Sequence, residues 1–256
     1  DIVAKTLEVI AGYDENDPAT SFIPTNFDFS FSNATNNISL KGVRFGLLDS
    51  KNSNPEVIEL HKRIKEIVNS LGGEVILIND ERDYPGDAES YVLLFEFREG
   101  LEEYLKNANT SMKKLTDIID FNNANKDIVM PHFGQDIFYK SIESTSYLKY
   151  FWSKYKIYKS YKSTKDLINK YDLDAFIGLT RGPAWKINYD GGDNVAMNNS
   201  LEFSSGGYAA HNGMPHITIP YFEINNFPVG ISIIGDRWSD KAIIEYASAI
   251  EKSRYN

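Results

Sequence analysis

Two short apolar runs, Val43–Leu48 and Val75–Ile78, bracket a stretch in which Val57, Leu60, Ile64, Ile67 and Leu71 recur at helical spacing. Asn54–Pro55 opens that stretch and Gly72–Gly73 closes it. A buried strand, an amphipathic helix and a second buried strand in that order imply a right-handed parallel crossover. The chain must therefore build a sheet and cover it with helices.

The remaining chain extends the alternation. Ile2, Val3, Leu7 and Ile10 lie on one side of a helix tail that Gly12 ends. Residues 14–41 are rich in Asp, Asn, Ser, Thr and Pro, and read as a surface loop pinned by Phe22, Phe27, Phe29 and Phe31. Helices are expected over 89–106, from near Asp117 with a Thr or Asp cap, over Ile137–Glu143 beyond Pro131 and Gly134, and over 146–171. Asp174–Leu179 reads as a buried strand, 186–203 as loop, and Ser204–Gly213 as a helix of small residues. His216–Ile219 and Val229–Gly235 are strands joined by a turn at Asn225–Pro228, and a last helix starts at Ser239 as N-cap. The fold class is α/β, with a mixed β-sheet flanked by helices. One domain over 1–256 is expected, with the helix tail and loop in 1–41 and the α/β body in 42–256.

Composition excludes several functions. The chain has no cysteine, which removes disulfides, thiol catalysis and Cys-ligated metal sites, and fits a cytoplasmic home. Its net charge of −9 argues against general affinity for nucleic acid. No apolar run reaches the ~20 residues that span a bilayer, and the first residues lack the pattern of a signal peptide. The chain begins without Met and inside a helical pattern, which reads as a truncated or processed polypeptide.

The candidate sites can be weighed one by one. Ser204–Ser205–Gly206–Gly207 offers hydroxyls, but the same residues suit a helix N-terminus where Ser caps and Gly permits close packing. Ser232 in GISIIG lacks the Gly two positions on that an esterase elbow needs, since Ile234 stands there, and it reads as a strand serine. His61, His132, His211 and His216 form no i, i+4 pair, so neither a metal nor a cofactor is expected. Lys149–Lys165 carries six lysines and no acid, interleaved with Tyr150, Phe151, Trp152, Tyr155, Tyr158 and Tyr161. It reads as a helix that buries its aromatics under lysine stems, with contact to an anionic partner as the alternative. TRGPAW, which follows a buried strand, lies where open α/β sheets build ligand sites. Gly182 there admits close backbone approach, Pro183 stiffens the loop, and Trp185 offers a flat apolar wall.

Several segments in order are similar to a known family. VIAGYDENDPAT at Val9–Thr20, LKGVRFGLL at Leu40–Leu48, MPHFGQDIF at Met130–Phe138, GPAW, GMPHITIP and FPVGISIIG resemble the C-terminal half of amidase signature family hydrolases. In that comparison Ser204–Ser205 falls past the catalytic region, and Glu202 and Phe203 stand where glycines would precede a catalytic serine.

The resemblance implies a partial amidase-signature fold in a protein that hydrolyses the C–N bond of an organic amide. Such enzymes use a serine nucleophile, a second serine and a lysine base. A hydroxyl is a poor nucleophile at neutral pH, so a lysine kept neutral by its surroundings must take its proton. All three groups would precede Asp1, so no catalytic residue is assigned in this chain, which is expected to be inactive alone. It would supply pocket walls from Thr180, Gly182, Pro183 and Trp185, with Phe133 and Gln135 beside the bend at Gly134. The implied partners are a small-molecule amide and the N-terminal half of the same protein. Exposed apolar surface would also favour a homo-oligomer. Two alternatives stand beside this: a non-catalytic module that binds an amide or a partner chain, and the amidase-like subunit of a tRNA-dependent amidotransferase.

Overall fold

The computed structural model describes residues 1–36, 38–49, 51–82, 84–192, 195 and 203–254. Contacts divide the chain into two compact units, a division that the sequence reading of a single α/β domain did not contain. Unit 1 comprises Asp1–Glu81, Ser163–Ala184 and Leu201–Asn256, and unit 2 comprises Arg82–Lys162 and Trp185–Ser200. Among the described residues no helix is long and apolar enough to cross a membrane.

Unit 1 holds the sheet. Strands β1 (Arg44–Leu47), β2 (Glu74–Leu77), β3 (Ala175–Leu179), β4 (His216–Ile224) and β5 (Phe227–Gly235) lie in the order β2-β1-β3-β5-β4. β1 runs parallel to β2 and to β3, and β5 runs antiparallel to β3 and to β4, which makes the sheet mixed. Its helices are α1 (Ile2–Ile10), α2 (Phe31–Ala34) and α3 (Pro55–Ser70). As expected, α3 is the crossover between β1 and β2. Asn54 caps it by accepting the Glu56 N–H, and Pro55 occupies the first turn, where its missing N–H is no loss. Val57, Leu60, Ile64 and Val68 bury its inner face against Phe45, Val75, Ile177 and Ile231.

The β4–β5 pair is longer than the pattern indicated. Asn225 and Asn226, both at positive φ, form a two-residue hairpin turn, so Pro228 lies inside β5 opposite Glu223. Asn tolerates that backbone better than other residues with a Cβ, and tight hairpins require it. Within the loop over 14–41, Phe27, Phe29 and Phe31 cluster edge-on with Trp238, while Phe22 stays exposed.

Unit 2 is helical. It contains α4 (Gly86–Asn107), α5 (Leu115–Ala124), α6 (Lys126–Val129), α7 (Asp136–Glu143) and the first part of α8 (Tyr147–Tyr171). Asp117 accepts the Lys113 and Lys114 N–H groups and so caps α5 from inside its first turn. Tyr91, Val92, Phe95, Leu115 and Ile119 are buried, and Phe95 stacks on Tyr150 at 4.5 Å.

α8 corrects one expectation. It is a single helix as read, yet its aromatics are not covered: Phe151 is 64% and Trp152 65% exposed, with Tyr155 and Tyr158 half exposed. Tyr147, Tyr150, Phe151, Trp152, Tyr155, Tyr158 and Tyr161 spread over roughly half of the helix surface, wider than the stripe that Tyr147 and Tyr150 pack on α4.

The remaining helices of unit 1 are α9 (Gly206–Asn212) and α10 (Asp240–Ser253). Gly213 ends α9 in the left-handed region, and Ile243, Ala247 and Ile250 of α10 close the core. Ser239 precedes α10 but gives its hydroxyl to the Asp236 carbonyl, so it does not cap the helix with its side chain. The polar stretch 186–203 is described only over 186–192, at 195 and at 203.

Candidate functional site

The end of β3 organises the polar centre of unit 1. The Thr180 N–H donates to the Gly230 carbonyl at 2.8 Å, and the Ser205 N–H donates to the Thr180 carbonyl at 3.0 Å. Beyond it, the Gly182 N–H reaches the Phe203 carbonyl at 3.1 Å and Arg181 bridges Ser204, so TRG runs antiparallel beside 203–205. The Ser205 hydroxyl donates to the Leu179 carbonyl at 2.7 Å, which consumes it in structure. Gly178 makes room for it, because a Cβ there would stand 2.8 Å from Ser205 Oγ.

On that sheet face four side chains form a closed hydrogen-bonded ring. Ser232 Oγ donates to Thr180 Oγ1 at 2.8 Å and lies 2.7 Å from His216 Nε2. Thr218 Oγ1 lies 3.4 Å from both Thr180 Oγ1 and His216 Nε2. The register explains the set. Ser232 of β5 pairs with Gly178 of β3 and with Thr218 of β4, and His216, two residues before Thr218, faces the same side. The alternate residues Ile217 and Ile219, together with Thr218, line a largely apolar pocket of about 330 Å³ with Ile2, Val3, Ile244 and Ala247.

Neither member of the Ser232–His216 pair resembles an activated nucleophile system. Ser232 is fully buried, so no substrate carbonyl can reach its oxygen. Among the described residues no carboxylate is bonded to His216 to hold its ring as a base. Loss of hydration pushes the imidazole below its ordinary pKa, so the ring is neutral at pH 7. The ring of four is thus uncharged, and can both give and accept hydrogen bonds.

Of the residues expected from sequence, Thr180 belongs to this ring, while Gly182 and Pro183 follow it in unit 1 and are partly buried. Trp185, Phe133 and Gln135 belong to unit 2. There Phe133 is half exposed and stacks against Tyr189, whose ring is 4.4 Å from His132. Gln135 is buried and its amide is already committed: it bonds to Asn122, to Asn123 and to the Ile119 carbonyl, tying α5 to the start of α7. Sequence reasoning weighed Ser232 only as an elbow nucleophile and His216 only as a metal ligand, and did not single out Thr218. The signal was there, since polar residues at period two inside apolar strands mark one sheet face. Among the described residues no group of three His, Asp or Glu could hold a metal ion.

A family model described as Amidase matches residues 1–244. The chain belongs to the amidase family. The peptide amidase of Stenotrophomonas maltophilia superposes with a TM-score of 0.84 at 26% identity, over 99% of this chain and 52% of that one. An amidase family protein from Bacillus anthracis shares the fold, with a TM-score of 0.78 at 19% identity over 99% of this chain and 46% of that one. A 45-residue segment is 47% identical to a glutamyl-tRNA(Gln) amidotransferase subunit of Thermotoga maritima, covering 17% of this chain and 10% of that protein. The chain spans about half the length of the solved amidases it matches.

Proposed function

We propose that this chain is the C-terminal part of an amidase that hydrolyses the C–N bond of an uncharged organic amide, giving a carboxylic acid and an amine or ammonia. The observation that carries this reading is the family match over residues 1–244. The likeness to a peptide amidase over nearly the whole chain supports a peptide amide or short acyl amide as substrate.

Nucleophile and base are proposed to come from the part of such enzymes that this chain does not span. Two observations support that assignment. Ser205 and Ser232 are buried, with their hydroxyls committed inside the fold. Lys241 bonds to Ser30 at 2.9 Å, but it also pairs with Asp28. The Lys241 ammonium holds the Asp28 carboxyl well below the usual carboxylate range, so its Nζ is committed to an ion pair and not to a serine alone. A hydrolytic step would need an oxyanion hole as well, where each donor removed costs about 3–4 kcal/mol.

Thr180, Gly182 and Pro183 are the residues of unit 1 that this reading sets against substrate. Within unit 2, the Phe133 ring and the Trp185 indole are proposed as apolar contacts, and Gln135 as the anchor of the segment carrying Phe133. A second reading, an amidotransferase component, is favoured by the 45-residue segment at 47% identity. The test is ammonia release from a panel of amides by the reading frame extended upstream of Asp1. Turnover of C-terminally amidated peptides supports the first reading, turnover of glutamine alone supports the second, and turnover of neither overturns both.

A further inference from the structure

The geometry points to the ring of Thr180, Thr218, Ser232 and His216 as a recognition site for a neutral carboxamide group. This inference rests on the amidase reading and deepens it by naming the chemical group and the residues that meet it.

Three features of the ring carry the argument. The first is convergence. β3 and β4 are both neighbours of β5, so residues on them are separated by two strand spacings, roughly 9–10 Å. Thr180 and Thr218 nevertheless bring their hydroxyls to 3.4 Å. They do so over Gly230, where a Cβ would stand 2.6 Å from Thr218 Cγ2 and 2.7 Å from Thr180 Oγ1. The sheet gives up a side chain at that position and two hydroxyls occupy the space.

The second feature is neutrality. All four members are uncharged at pH 7, and among the described residues no carboxylate, lysine or arginine bonds to any of them. A carboxylate or ammonium ligand would find no counter-charge here, so nothing in the ring favours a charged group over a neutral one.

The third is the division between spent and free valences. Ser232 is buried and satisfied on both sides, by His216 and by Thr180. Thr218 is exposed and Thr180 half-buried, and their mutual contact at 3.4 Å is long for a hydroxyl pair. Each hydroxyl carries one proton and two lone pairs, so this pair retains both donor and acceptor capacity. A carboxamide presents the complement, a carbonyl oxygen beside N–H donors. Thr180 and Thr218 would touch the ligand, and Ser232 and His216 are positioning residues that hold the Thr180 hydroxyl in place.

The experiment uses the 256-residue chain with N-acetylphenylalaninamide as probe and N-acetylphenylalanine as its acid counterpart, followed by calorimetry and by the His216 ring proton signals. The expected result is binding of the amide, with no competition from the acid. Thr180→Val and Thr218→Val should each weaken that binding at least tenfold, and Thr180→Ser and Thr218→Ser should restore it. Thr218→Val and both Ser variants should melt with the parent, while Thr180→Val, which leaves the buried Ser232 hydroxyl without its acceptor, should melt lower. Parent chain that ignores the amide, acid that binds equally well, or Val variants that bind like the parent would each overturn the site. Ammonia release by the upstream-extended protein separates the two ideas. If amides are hydrolysed while the Val variants keep the parent KM, the site is wrong and the amidase reading stands. If the Val variants lose the probe but no amide is ever hydrolysed, the site stands and the amidase reading fails.

Discussion

Thr180, directly after β3, and Thr218, on β4, flank β5 from opposite sides, and their hydroxyl oxygens meet at 3.4 Å above Gly230. The missing Cβ of one residue therefore determines the arrangement of two others.

Gly230→Ala is the direct consequence. The new methyl would fall 2.6 Å from Thr218 Cγ2 and 3.3 Å from the Ile219 carbonyl, so the strands must part or the threonines must turn away. Overpacking of this kind costs about 1–3 kcal/mol. The expected outcome in urea unfolding is a midpoint lowered accordingly, with the hydrogen bond between Ser232 and Thr180 broken. An alanine variant as stable as the parent would show that the close approach is not real.

His61 supplies a pH dependence. It is buried on α3, and among the described residues its Nε2 has no hydrogen-bond partner. Burial pushes its pKa below the ordinary value of 6.5, against a smaller opposing field from Asp49. The unfolded chain therefore takes up this proton near pH 6.5, while the folded chain resists it until lower pH. Unfolding gains a proton in that window, so stability is complete above about pH 6.5 and declines as pH falls toward the folded value. Each pH unit between the two pKa values is worth about 1.4 kcal/mol. His61→Leu should flatten the fall between pH 7.5 and pH 5 and leave stability at pH 7.5 unchanged or raised, since no buried polar bond is lost. Parallel pH profiles for parent and variant would refute this.

Much of the architecture was legible in the sequence, for a local reason. The β1–α3–β2 unit announces itself through two apolar runs, a 3.6-residue period and an Asn–Pro cap, all of which act over a few residues. Where tertiary context decides, the sequence was silent. α8 has aromatics at so many positions that no pattern says which will be covered, and β4 extends to Ile224 only because β5 pairs with it. The site divides the same way. Thr180 is readable from its place after a buried strand, whereas Ser232, read as a plain strand serine, acquires meaning only from the register that sets it beside His216. Gln135 shows the converse: a glycine bend makes it look available, and the fold buries its amide among asparagines.

The uncovered face of α8 predicts association. Leu148, Phe151, Trp152, Tyr155 and Tyr158 present large exposed apolar surface on one helix, and soluble chains rarely leave such patches without a partner. Light scattering at rising concentration should show the 256-residue chain self-associating. Phe151→Glu combined with Trp152→Glu should shift it toward monomer with little change in Tm, because neither side chain is in the core. A double variant that associates as strongly as the parent would place the interface elsewhere.

The central claim, that this chain carries amide recognition while the nucleophile and base lie outside it, is tested most directly by one comparison. Ammonia release from a C-terminally amidated dipeptide is followed with the 256-residue chain and with the same chain extended upstream of Asp1. The account predicts turnover by the extended protein and none by the 256 residues alone. Turnover by the 256 residues alone, abolished by Ser232→Ala, would contradict it.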